Sequence, residues 1–159
     1  MIFKPLLPLL FLALTACGFS PLYSDSDNQF VLTESAAVKI DPIPDYYGYV
    51  MMQVLENKLN PQKQAQPTRY VLAVHLNDII YTDQIRQENN FSDRKKITIS
   101  ATYRLSRLKD SHTLIQSATS ASGSYNIVSS PYATLTDQEK NHSELLQIIA
   151  DNIDLHILT

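Results

Sequence analysis

One cysteine and three glycines are all that the 159 residues hold of either type. A disulfide needs two thiols, so no bridge within the chain can staple it. Gly18, Gly48 and Gly123 stand far apart and cannot build a Gly-rich phosphate loop. Positive charge is also scarce. The formal net charge is −3, and a weakly acidic chain without long basic clusters is not expected to bind nucleic acid. The four histidines, His75, His112, His142 and His156, form no HExxH, HxxxH or Cys–His spacing. No metal site is therefore expected, and structural or surface roles are expected for all four. Ser122-Gly123-Ser124 is not a G-x-S-x-G elbow. The carboxylates are scattered, with no pair fixed by a local motif. These absences together predict a protein that is not an enzyme and carries no cofactor.

Apolar residues are plentiful. They make up 44% of the chain against 18% charged, a balance that favours a folded core over disorder. The length suits one ordinary domain.

The beginning of the chain reads differently from the rest. Met1-Ile2-Phe3-Lys4 carries one positive charge, and Pro5 to Ala13 is mostly Leu and Phe. The apolar run is too short for a stable membrane span and suits the apolar region of an export signal. Leu14-Thr15-Ala16-Cys17-Gly18 follows. A Leu three residues before a Cys, small residues between and Gly after resemble the lipobox of bacterial lipoproteins. The chemistry fits, because a thiolate is a good nucleophile and small neighbours leave it accessible. Residues 1–16 are thus expected to be a cleaved signal, and Cys17 to become the lipidated first residue. The resemblance implies three acyl chains. Each buried methylene contributes about 0.8 kcal/mol, so several chains anchor durably where one does not. By analogy with the common sorting rule of bacterial lipoproteins, Gly rather than Asp after Cys17 favours the outer membrane.

Residues 17–35 read as a lipidated arm and linker. Pro21 opposes helix, and Ser24-Asp25-Ser26-Asp27-Asn28 is polar. The domain proper is expected over 36–159. Ala36, Val38 and Ile40 alternate with polar or small residues and predict a short strand ended by Pro42. Asp45 is a plausible cap for a helix with the stripe Tyr47, Val50, Met51, Val54, Leu55 and Leu59. Asn60-Pro61 ends it. Strands are predicted at Tyr70–Leu76, at Ile97–Ser106 and from Thr113 to about Ile127, with Lys109-Asp110-Ser111 as the turn between the last two. Thr136-Asp137-Gln138-Glu139 matches a capping box ahead of Leu145, Leu146, Ile149, Ile153, His156 and Ile157. The order β-α-β-β-β-α predicts an α+β fold. Four strands, mostly antiparallel or mixed, would form a sheet with two helices on one face. Leu55 and Ile99 are expected in the core.

Two groups of residues invite a binding role. Asp93-Arg94-Lys95-Lys96 reads as the loop before the clearest strand, with Arg86 nearby. Three adjacent cations could hold phosphates or an acidic partner, or could simply be a solvated loop guarding an edge strand. Tyr46, Tyr47 and Tyr49 suit either an interface or helix-to-sheet packing.

Cys17-Gly18-Phe19-Ser20-Pro21-Leu22-Tyr23 carries the family likeness. A lipobox running into Gly-Phe-x-Pro-Leu-Tyr resembles the start of the lipopolysaccharide-assembly lipoprotein family LptE, in its alphaproteobacterial form. The element order over residues 36 to 157 is similar to that family's fold. The resemblance implies a non-enzymatic lipoprotein of the outer membrane. It would plug the lumen of a large outer-membrane β-barrel, help that barrel assemble, and assist insertion of lipopolysaccharide into the outer leaflet. Arg94, Lys95 and Lys96 are candidates for lipopolysaccharide or partner contact by chemistry alone. The polar residues Thr98, Ser100, Thr102, Arg104 and Ser106 would suit a polar barrel lumen. The other roles open to such a chain are an accessory lipoprotein of a different envelope complex and a lipid-anchored periplasmic hydrolase.

Overall fold

The computed structural model describes residues 33–84 and 94–158. The signal segment, Cys17 and the arm to residue 32 lie outside the described residues, as do Arg86 and Asp93.

Alternation of apolar and polar side chains sets the sheet. β1 (Val38–Ile40), β2 (Tyr70–Leu76), β3 (Ile80–Gln84), β4 (Arg94–Arg107) and β5 (Thr113–Asn126) form one mixed sheet. β1 runs parallel to β2, and β2, β3 and β5 are antiparallel to β4. Two helices, α1 (Asp45–Leu59) and α2 (Pro131–Leu158), cover one face of it. The α+β class with both helices on one side holds, with five strands where the periodicity gave four.

The extra strand is β3. It continues the edge begun by β2 along the same side of β4. Leu76 pairs with Ala101, but Ile80 pairs with Thr98, so one residue too many lies between them on this edge. Such a bulge reverses which residues face inward. Leu72 and Val74 face the helices in β2, whereas Tyr81 and Asp83 do so in β3. A steady period-2 pattern cannot be read across that reversal.

The core is one cluster. Ile97, Ile99, Ala101, Tyr103 and Leu105 of β4 meet Met51, Leu55 and Leu59 of α1 and Leu145, Leu146, Ile149 and Ile153 of α2. Leu55 and Ile99 are 0% and 1% exposed, as their stripes predict. β5 presents Ser117, Thr119, Ala121 and Gly123 to the helices, and these small side chains let α2 approach closely. A Cβ on Gly123 would stand 2.8 Å from Asn141 Oδ1.

The ends of the helices differ from expectation. Asp45 is the first residue of α1, with φ of 69°, and the N-cap Pro44 offers no side-chain hydrogen bond. Asp tolerates this left-handed region better than most residues. α2 begins five residues before the expected capping box. Ser130 caps it, accepting the Ala133 N–H on its hydroxyl and the Thr134 N–H on its carbonyl. Pro131 then occupies the first helical position, where its missing N–H costs nothing. Thr136 instead donates back to the Tyr132 carbonyl at 3.0 Å, inside the helix. The β4–β5 turn is as expected. Asp110 accepts from the His112 N–H and from Arg107, both at 3.2 Å, which hold its carboxyl below the usual carboxylate range.

Candidate interaction surface

The helices cover one face of the sheet, and no described element covers the other. Register assigns the residues of this open face: Lys39 of β1, Val71, Ala73 and His75 of β2, and Ile80 and Thr82 of β3. β4 adds Arg94, Lys96, Thr98, Ser100, Thr102, Arg104 and Ser106. From β5 come Gln116, Ala118, Ser120, Ser122 and Ser124. Large apolar groups are nearly absent, and hydroxyls dominate. Thr98 and Ser122 hydroxyls bond each other at 3.0 Å across the strands, a pairing typical of Thr–Ser neighbours on a sheet.

Charge on this face has one sign. Lys39, Arg94, Lys96 and Arg104 stand on it, and no Asp or Glu does among the described strands. The only acidic residue in the five strands is Asp83, which faces the helix side opposite Lys95. A chain of net charge −3 thus keeps a positive sheet face.

The three adjacent cations are not in a loop. Arg94, Lys95 and Lys96 are the first residues of β4, paired with β3 on one side and β5 on the other. They guard no edge, because β4 is internal to the sheet there. Strand geometry also divides them, since successive side chains point to opposite faces. Lys95 turns to the helix side and lies 3.8 Å from Asp83. Arg94 and Lys96 turn to the open face, where Arg104 joins them from the same strand. This face, rather than the triplet, is the chemically coherent unit. Cys17, the expected lipidation site, lies outside the described residues.

On the opposite side, α1, α2 and β3 meet at His142, which is 1% exposed. Its Nδ1 lies 2.9 Å from the Tyr47 hydroxyl and its Nε2 3.0 Å from the Tyr81 hydroxyl. Tyr47 donates to Glu139 Oε1 at 3.2 Å and so has no proton left for the ring. Nδ1 must therefore be the donor and Nε2 the acceptor. Tyr81 gives its proton to Nε2 and itself accepts from Gln138 Nε2 at 3.3 Å. The chain of donors runs Gln138, Tyr81, His142, Tyr47, Glu139, with every group satisfied by a neutral imidazole. Burial pushes the His142 pKa down. Burial, then the charge and hydrogen bond of Glu139, push the Tyr47 hydroxyl up to about 12.

This arrangement resolves the tyrosine group. Tyr47 packs on His142 with ring centroids 4.7 Å apart, while Tyr46 and Tyr49 are 68% and 52% exposed. His142 itself was legible as a continuation of the α2 stripe, three residues before Leu145. Its partnership with Tyr81 was not, because β3 was not. No group of three His, Cys, Asp or Glu that could hold a metal occurs among the described residues. No helix of the described residues is long and apolar enough to cross a membrane.

No protein-family model matches the sequence, and no curated protein matches it. Solved structures do. A candidate lipoprotein from Caulobacter crescentus CB15 is 20% identical, with a TM-score of 0.67 over 82% of this chain and 94% of its own. The rare lipoprotein B from Shewanella oneidensis is 10% identical, with a TM-score of 0.57 over 76% of this chain and 92% of its own. A minor lipoprotein from Acinetobacter baumannii is also 10% identical, with a TM-score of 0.55 over 76% and 91%. At these identities the likeness establishes a shared fold that spans nearly the whole of each neighbour.

Proposed function

We propose that this chain is a lipid-anchored protein of the outer membrane that docks within a large β-barrel and takes part in inserting lipopolysaccharide into the outer leaflet. The observation that carries the reading is the open sheet face, which is rich in hydroxyls, positive and free of carboxylates among the described strands. Such a face is suited to the polar wall of a wide barrel, and its cations to phosphate or carboxylate groups. The lipobox-like segment at Cys17 supports the anchor. The fold shared with the rare lipoprotein B from Shewanella oneidensis supports placing the chain among envelope lipoproteins. An anchor at the membrane raises the concentration of the domain near an integral partner.

Affinity purification of the full chain from detergent-solubilised outer membrane tests the partner, with a stoichiometric β-barrel protein expected in the eluate. Elution without a barrel protein overturns the plug and leaves an accessory lipoprotein of another envelope complex. A second measurement concerns lipopolysaccharide. Changing Arg94, Lys96 and Arg104 together to Ala should weaken its binding, and wild-type binding should fall as salt rises. Lys95→Ala should bind as wild type does, because Lys95 faces the helix side. Equal binding by the triple variant, insensitive to salt, removes direct lipopolysaccharide contact from the reading.

A further inference from the structure

The described residues begin beside the turn between β4 and β5. Glu34 pairs with Arg69 at 2.7 Å and accepts from the Tyr70 hydroxyl at 3.3 Å. Arg69 donates its N–H to the Ala37 carbonyl, and its own carbonyl accepts the Leu108 N–H at 2.8 Å. In the sheet, Val38 pairs with Tyr70, and Tyr70 with Arg107. Residues 33–38 therefore enter the fold at the end of the sheet that holds this turn. The far end is marked by Gln84, Arg94 and Asn126, paired side by side, and by the start of α2 at Pro131.

The turn itself carries apolar groups. Leu108 is 54% exposed, and Leu114, 40% exposed, is the extra residue of a bulge, unpaired between Thr113 and Ile115. A bulge re-aims a side chain. Asp110, the one carboxylate of the turn, is bridged to Arg107 at 3.2 Å, so the exposed Lys109 leaves the turn positive. The backbone donors are occupied: Leu108 N–H by Arg69, Arg107 N–H by the His112 carbonyl and His112 N–H by Asp110. Exposed leucines beside a cation, on a backbone already bonded, suit a bilayer interface. There apolar side chains sink toward the acyl chains and cations stay with anionic headgroups.

Covalent length says which end of the domain meets lipid. Fifteen residues, 18–32, separate Cys17 from the first described residue. Fully extended they span at most about 50 Å. β4, with 14 residues, is itself about 46 Å long. The far end has its own exposed apolar groups, Ile127, Val128, Tyr132 and Leu135. It reaches the membrane that holds Cys17 only if the arm runs back along the whole sheet. The turn lies where the arm starts.

We propose that the β4–β5 turn is a membrane-contact element: Leu108 and Leu114 enter the leaflet that holds the acyl chains of Cys17, with Lys109 at the anionic headgroups. The inference rests on the lipid anchor of the proposed function. It is compatible with a plug, because acyl chains lie in the bilayer outside a barrel lumen. The arm must then leave through the barrel mouth, and the end of the domain where the arm starts is the end at the rim. The open sheet face stays available to the barrel wall.

Fluorescence quenching of the full-length, lipid-modified protein in vesicles tests this. The vesicles hold phosphatidylethanolamine, phosphatidylglycerol and a lipid with a nitroxide quencher near its headgroup. Cys17 is the only cysteine, and lipidation consumes its thiol, so a thiol-reactive fluorophore marks a cysteine placed elsewhere. At His112→Cys, in the turn, emission should shift to the blue and be lost with the quencher lipid. At Tyr132→Cys, exposed at the far end, it should do neither. Adding Leu108→Ser and Leu114→Ser to His112→Cys should abolish the quenching. Both leucines are exposed, so the melting curve should stay in place. An unquenched label at His112→Cys overturns the proposal while the anchor stands, and leaves the leucines to a protein partner. Quenching that survives the two serine changes, or equal quenching at Tyr132→Cys, overturns it as well. Label taken up by the wild-type chain is a separate failure. It reveals a free thiol at Cys17 and overturns the anchor, and this inference with it.

Discussion

Replacing His142 with Phe tests whether the imidazole holds α1, β3 and α2 together as a neutral hydrogen-bonded group. The ring keeps its volume and its stacking on Tyr47, but both nitrogens are lost. Two hydrogen bonds disappear, at 2.9 and 3.0 Å. Each contributes about 0.5–1.5 kcal/mol net, so the variant should lose about 1–3 kcal/mol at pH 7.5. The lower half is favoured, because Tyr47 keeps Glu139 and the 45% exposed Tyr81 can turn to water. The pH dependence is more diagnostic. His142 has a pKa below its ordinary 6.5 in the folded chain. Below pH 6.5 the unfolded chain therefore binds a proton that the folded chain refuses, and stability falls as pH falls toward the folded value. Phe cannot titrate, so the gap between wild type and variant should narrow on acidification from pH 7.5 to 5. Urea unfolding across that range measures both terms. A gap that stays constant, or a variant as stable as wild type at pH 7.5, would refute the neutral relay.

Four further outcomes follow from single positions. A Cβ on Gly48 would lie 2.7 to 2.9 Å from the side chain, carbonyl oxygen and carbonyl carbon of Ile43. The backbone there cannot swing aside, so Gly48→Ala should cost about 1–3 kcal/mol by urea midpoint. Gly123→Ala should cost less, because the flexible end of Asn141 can yield. Asp154 has a carboxyl raised by burial, and its Oδ1 has no hydrogen-bond partner among the described residues. Asp154→Asn should raise the melting temperature at pH 7, where the carboxylate is charged, and should give no gain in acid, where it is protonated. An equal gain at both pH values would rule out charge desolvation as the cause. Fatty-acid label should enter the wild-type chain and not Cys17→Ser, and equal labelling would remove the lipid anchor.

Where periodicity was regular, the sequence was readable. Met51, Leu55 and Leu59 repeat at helical spacing, and Ile97 to Leu105 alternate without a break, so both core faces followed directly. The failures have local causes. β3 was missed because the bulge between Leu76 and Ile80 exchanges inward and outward positions. The start of α2 was missed because Ser-Pro reads equally as a chain break and as a cap with proline at the first helical position. The basic triplet was legible as charge but not as geometry. Only its placement inside β4 shows that alternation sends Lys95 one way and Arg94 and Lys96 the other. Cross-strand register, which gathers Lys39, Arg94, Lys96 and Arg104 on one face, depends on pairings among residues distant in sequence.

The separation of charge between the two faces bears on how the domain would meet a partner. Described acidic residues lie on the helices, in loops and turns, or at Asp83 on the helix side. The open face carries four cations, Lys39, Arg94, Lys96 and Arg104, and no carboxylate among the described strands. Long-range attraction from an acidic surface therefore turns that face inward before contact, and repels the helix side. Such steering weakens as the Debye length shortens, from about 10 Å at 0.1 M salt to about 3 Å at 1 M. The hydroxyls between the cations then supply short-range bonds that salt does not screen to the same degree. Salt should accordingly slow docking to an acidic partner much more than it speeds release. Reversing the sign at Arg104 alone, in the middle of the face, should slow association without moving the melting curve. If Arg104→Glu instead leaves the association rate unchanged and shortens the lifetime of the complex, the cations act as contacts rather than as a guiding field.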